Sequence, residues 1–117
     1  MAYLRTVNGL KTNEAGTGSI AVSLAVPNNN TYRLHSASCK FDAAPTTSEN
    51  FTITLDANAG PAYDILLYTV DPAAAAATSL LWQPDQPLLL EAGDQIDIAY
   101  TNTDGRTYGV QITSEVV

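Results

Sequence analysis

"LLLEAGDQIDIAYTNTDGRTYGVQI", from Leu88 to Ile112, alternates apolar and polar residues, breaks once at a turn signal, and alternates again. Side chains along a strand point to opposite faces with a period of two, so the stretch reads as two half-buried strands. Ile96, Ile98 and Tyr100 face inward before the break, and Tyr108, Val110 and Ile112 after it. A two-residue Asp104-Gly105 loop would set Tyr100 against Gly109 and mix the faces. A loop of Thr103 to Gly105 instead pairs Tyr100 with Tyr108, Ile98 with Val110 and Ile96 with Ile112, which keeps one face apolar. That loop wants a left-handed residue at its last position, and Gly105 supplies it. The stretch therefore predicts a β-hairpin whose purpose is to complete a sandwich.

The rest of the chain repeats the theme about every ten residues, with turn formers between. "SIAVSLAV" sets Ile20, Val22, Leu24 and Val26 on one face, and Pro27 with Asn28–Asn30 ends it. In "TYRLHSASCKF" the apolar set begins at Tyr32 and Leu34, then slips by one residue to Ala37, Cys39 and Phe41. That slip predicts a β-bulge near His35 and Ser36. "NFTITLDA" turns Phe51, Ile53 and Leu55 inward, and Asn58 to Pro61 form a turn.

"YDILLYTV" is apolar on both faces, with Ile65 and Leu67 on one and Leu66, Tyr68 and Val70 on the other. Such a strand is either covered on both sides within the domain or lies against a partner. In "DPAAAAATS", Asp71 can N-cap, Pro72 fits the first helical position and Ala73–Ala77 favour helix. One short helix near residues 72–78 is expected, a flexible linker being the competing reading.

No ten-residue amphipathic helix separates the strands, which excludes parallel βαβ units. The fold class read from the sequence is all-β: one antiparallel β-sandwich of eight or nine short strands, jelly-roll-like. The immunoglobulin Cys–Trp–Cys pattern is absent. At 117 residues the chain is one domain, divided into an N-terminal arm or edge segment over 1–18 and the sandwich over 19–117.

The single Cys39 rules out an internal disulfide framework, and a reduced, partly buried thiol is expected. "MAYLRTVNGLKTNEAGTG" shows no apolar signal region, and no window approaches the ~20 apolar residues of a membrane helix. The sequons at Asn29 and Asn50 are then coincidences, and synthesis in a host cytoplasm with no membrane partner is the expectation. Net charge is −7, which argues against nucleic acid, since phosphate binding needs clustered Lys and Arg. The charge is uneven. Residues 1–41 hold four cations against Glu14, net +3, while residues 42–117 hold Arg106 against eleven carboxylates, net −10. Chance explains this, or an N-terminal arm docks on an acidic neighbour, a second copy of this chain among the candidates.

Chemistry is sparse. His35 and Cys39 are four residues apart, roughly 13 Å along a strand, too far for a nucleophile and its base. Asp94 and Asp97 fall on a rim and a strand face rather than in a shared cleft. Asp56, Asn58, Asp94 and Asp104 offer calcium-type oxygens in loops but lack EF-hand spacing. No catalytic residue, cofactor or metal is assigned. Trp82, in "SLLWQPDQP", reads either as a core plug or as an interface anchor or sugar-stacking platform.

The run "LLLEAGDQIDIAYTN" with "DGRTYGVQI", and the sandwich from Ser19 onward, resemble the head decoration (cement) proteins of tailed bacteriophages. The resemblance covers most of the chain as a style of strand and turn. It implies a non-enzymatic virion protein that binds the major capsid protein on the outer surface of a phage head. It also implies a homo-oligomer, a trimer above all, gripping the shell with an N-terminal segment. The interface candidates are Tyr3, Leu4 and Arg5 in that segment, Leu66 and Tyr68 in the doubly apolar strand, and Trp82. The competing expectation is a carbohydrate- or receptor-binding sandwich of a phage tail, fibre or bacterial surface protein.

Overall fold

The computed structural model describes residues 9–117. Nine strands follow in order: β1 (Gly9–Gly16), β2 (Ile20–Ala25), β3 (Tyr32–Phe41), β4 (Phe51–Asp56), β5 (Ile65–Val70), β6 (Ser79–Trp82), β7 (Leu88–Leu90), β8 (Gln95–Tyr100) and β9 (Tyr108–Val116). They pair as a nested antiparallel ribbon: β1 with β9, β2 with β8, β3 with both β6 and β7, and β4 with β5. The ribbon is rolled so that β3 also pairs β9 and β4 pairs β8. This gives one sheet ordered β1-β9-β3-β6/β7 and another ordered β2-β8-β4-β5, the wrapping of a jelly roll.

The alternation read from the sequence builds the core as expected. Ile20, Val22, Leu24, Leu34, Cys39, Phe41, Phe51, Ile53, Ile96, Ile98, Val110 and Ile112 are all buried between the sheets. Ile98 is 1% exposed, so truncating it to alanine costs about 2–5 kcal/mol. Phe41 meets Tyr100 across the core at 5.6 Å between ring centroids, and Phe51 meets the same ring at 6.2 Å.

Two expectations are corrected. The opening stretch is not a hairpin, because β8 pairs β2 and β4 while β9 pairs β1 and β3 in the other sheet. The connection is an arch over the end of the sandwich. Alternation fixes which face is buried and says nothing of which strand lies alongside, and an arch buries the same residues as a hairpin. Gly105 is left-handed as expected, with φ 64 and its N–H bonded to the Asn102 carbonyl at 2.9 Å, but it sits inside a seven-residue connection rather than ending a three-residue loop.

The short helix near residues 72–78 is also absent; a single capped turn stands there. The Asp71 carboxylate accepts from the Ala73 and Ala74 N–H groups, which is the expected N-cap. Ala76, at φ 49, then ends the turn, with Ala76 N–H bonding Ala73 O and Ala77 N–H bonding Pro72 O. That is a Schellman closure with alanine where glycine is preferred. The connection must return at Thr78, whose carbonyl accepts from Phe41 N–H, so no second turn fits.

The bulge near His35 is present, as the β3–β9 register shifts between Leu34 and Ser36. A second shift, between Ile53 and Thr54 on β4, leaves Leu67 of β5 as the extra residue. Of the segment 1–18, residues 9–16 form β1, an edge strand bonded along its whole length to β9. A cut at residue 18 would strip a strand from the sandwich, whereas a cut at residue 8 leaves all nine.

Candidate functional site

Four of the six connections between the sheets cross at one end, residues 17–19, 42–50, 71–78 and 101–107, and the other two, 26–31 and 91–94, cross at the far end. Four carboxylates hold the loops at the first end. Asp104 accepts from the Thr46 and Thr47 N–H groups at 2.6 and 3.0 Å, and from the Thr47 hydroxyl at 2.6 Å. Glu49 accepts from Thr103 N–H at 3.1 Å, Asp42 from Thr107 N–H at 3.1 Å, and Asp71 from the Ser48 hydroxyl. Asn102 is buried in the left-handed region at φ 56. Its amide donates to the carbonyls of Thr17, Gly18 and Arg106, and its Oδ1 accepts from Arg106 N–H.

Hydrogen bonds that favour the charged form hold the Asp104 carboxyl well below the usual carboxylate range, those from Thr47 and Thr46 being the largest cause. The Ser48 hydroxyl does the same for Asp71. Burial pushes the Tyr100 hydroxyl up, and the nearby charges of Glu49, Asp104 and Asp71 add to it. Four of the eleven carboxylates of residues 42–117 are thus bonded to neighbouring loops at this end.

The opposite situation holds along one flank. The three-residue β1–β2 connection sets β1 over β2, so β5 and β6/β7 edge the two sheets on the other side. Of the large apolar side chains exposed among the described residues, Tyr63, Ile65, Leu66, Leu81 and Leu89 belong to this flank, and Val117 follows β9. Leu66 and Leu89 are 55% and 57% exposed. Of the interface candidates, Leu66 faces solvent here. Tyr68 turns inward with its ring edge-on to Phe51, and half-buried Trp82 stands opposite Ala37 against the core. Tyr3, Leu4 and Arg5 lie outside the described residues. Sequence reading missed Tyr63, Ile65, Leu81 and Leu89 as a group. The signal was there, since "SLLW" and "LLL" are as doubly apolar as "ILLYTV".

The other candidates separate. Cys39 points into the core, where burial pushes its thiol up to about 12, while His35 on the bulge faces outward and lies 3.1 Å from Glu115 Oε1. They cannot act as a pair. Asp94 closes the far end, accepting from Asn58 and Glu91 N–H at 2.9 Å each, and Asp97 accepts from Ser23 and Gln95 on its sheet face. Asp104 is at the other end, so the loop oxygens do not gather. Among the described residues no group of three His, Cys, Asp or Glu side chains is placed to hold a metal. An open groove of about 790 Å³ crosses the outer face of the β1 sheet. It lies over Gly109, between Ala15, Ser38, Lys40, Leu81 and Gln111.

No protein-family model matches this chain, and no curated protein does. Among solved structures, Aeromonas hydrophila PliG, a periplasmic lysozyme inhibitor of g-type lysozyme, is 13% identical over 93% of this chain and 84% of its own, with a TM-score of 0.32. The jelly-roll assignment stands on the strand pairing.

Proposed function

We propose that this chain is a non-enzymatic virion structural protein, a homo-oligomer that decorates the outer surface of a phage head by binding its major capsid protein. The observation that carries the reading is the apolar flank. Four large apolar side chains are exposed on β5, β6 and β7, with Tyr63 just before β5, while β1 and β2 at the far edges of the same sheets expose none among the described residues. Exposed apolar side chains concentrated on these edge strands support a protein-binding surface. The loop end supplies the complement: its carboxylates are bonded to backbone, which suits a rigid block better than a reactive site.

The test uses heads assembled without the chain. Incubated with purified protein and sedimented, they should carry it down in a fixed ratio to the capsid subunits, and Leu66→Asp should reduce the bound amount. A wild-type protein that stays in the supernatant contradicts the proposal. The second reading, a carbohydrate- or receptor-binding module, rests on the groove over Gly109 rather than on Trp82. A glycan array on which Lys40→Ala removes a signal would favour it.

A further inference from the structure

Among the described residues the sandwich leaves four open sheet edges: β1, β6/β7, β2 and β5. An unpaired edge offers a row of backbone N–H and C=O groups, and proteins blunt such edges with charge, proline or interruption. β1 carries Lys11 and Glu14. The β6/β7 edge is broken by Pro84, Asp85 and Pro87. β2 presents only Ala21, Ser23 and Ala25 to the outside. β5 has neither charge nor proline across its six residues, and it begins with two exposed apolar side chains, Ile65 and Leu66.

We propose that the β5 edge is occupied by residues 1–8 of a second copy of this chain, added as an extra strand along β5. The inference rests on the reading of the chain as a homo-oligomer and names the contact that makes it one. Three observations support it.

The first is composition. "AYLRTV", Ala2 to Val7, is rich in aromatic and β-branched residues, holds no glycine or proline, and equals β5 in length at six residues. Strand addition to a free edge uses main-chain bonds for affinity and alternate side chains for fit. The second is charge. Residues 1–8 carry Arg5 and no carboxylate, whereas residues 9–117 carry four cations against twelve carboxylates, net −8. Asp64 and Asp71 bracket β5 itself.

The third is place. The chain enters the described fold at Gly9, on the β1 edge opposite Glu115, and so on the flank away from β5. Eight extended residues span about 26 Å, on a molecule measuring 41 × 39 × 24 Å. A segment leaving that edge meets the β5 flank of a copy placed alongside by extending outward, while its own β5 lies on the far side of the sandwich. A head-to-tail contact of this kind closes into a ring where the rotation between copies closes and otherwise continues as a filament.

The test is sedimentation equilibrium of the full chain, with Leu66→Asp changing the flank and Tyr3→Asp/Leu4→Asp changing the segment. The wild type should associate. Each variant should raise the concentration for half-association by about tenfold or more, the effect of losing a buried anchor at an interface. A synthetic peptide of residues 1–8 in excess should dissociate the wild type. The segment variant alters no described strand, so it stays informative even if Leu66→Asp impairs folding. A wild type that is monomeric throughout, or a segment variant that associates like wild type, overturns the inference. Head binding is read separately. Segment-dependent association without head binding removes the decoration reading alone, and head binding with unaltered association of the segment variant removes this inference alone.

Discussion

The loop end and the β5–β6–β7 flank are built from opposite materials. At the loop end, Asp42, Glu49, Asp71, Asp104 and Asn102 satisfy backbone N–H and C=O groups that would otherwise lack partners. On the flank, Ile65, Leu66, Leu81 and Leu89 stand in solvent beside edges that no strand among the described residues pairs. The first region satisfies most of its polar groups within one chain, and the second leaves apolar side chains and strand edges uncovered among the described residues. An exposed leucine is ordinary by itself; what distinguishes the flank is that the exposed apolar residues cluster on one side of the molecule.

If this contrast is right, substitutions at the loop end change stability, and those on the flank change association. The largest stability effect is expected from Asn102→Ala. It orphans the carbonyls of Thr17, Gly18 and Arg106 and leaves alanine in the left-handed region, a loss of about 2–3 kcal/mol in urea unfolding. Acid should act next. Because the folded-state pKa values of Asp104 and Asp71 are lowered, their stabilisation is complete above the ordinary carboxylate range near pH 4. It drains away as pH falls from there toward the lowered values. Thermal unfolding from pH 6 to 2 should show that loss, and Asp104→Asn should flatten it. Ala76→Gly relieves a left-handed alanine and should stabilise by about 0.5–1 kcal/mol. Leu66→Asp should fall within about 0.5 kcal/mol of wild type in the dissociated protein. A large destabilisation there would make the flank part of the fold and erase the contrast.

How far the sequence could be read follows from what periodicity contains. It reports the face of each residue, and so the core from Ile20 to Ile112 was legible, as was the bulge at His35, where the phase slips. It does not report the neighbouring strand, so an arch between sheets was taken for a hairpin. The bulge at Leu67 was hidden because an apolar run on both faces has no phase to lose. Asp71 was legible as a cap because its partners are two and three residues away. Asp104 was not legible as a clasp, since Thr46 and Thr47 lie 58 and 57 residues off. The flank was half visible: "ILLYTV" was marked as needing cover, and β6 and β7 joined it only through their shared pairing with β3.

Hydrogen exchange read residue by residue at two protein concentrations tests the central claim most directly. The account predicts that amides of β5 become more protected as concentration rises, while those bonded to Asp104 and Asp42 at the loop end do not change. Protection along β5 that is independent of concentration would mean that the flank is not closed by a second copy.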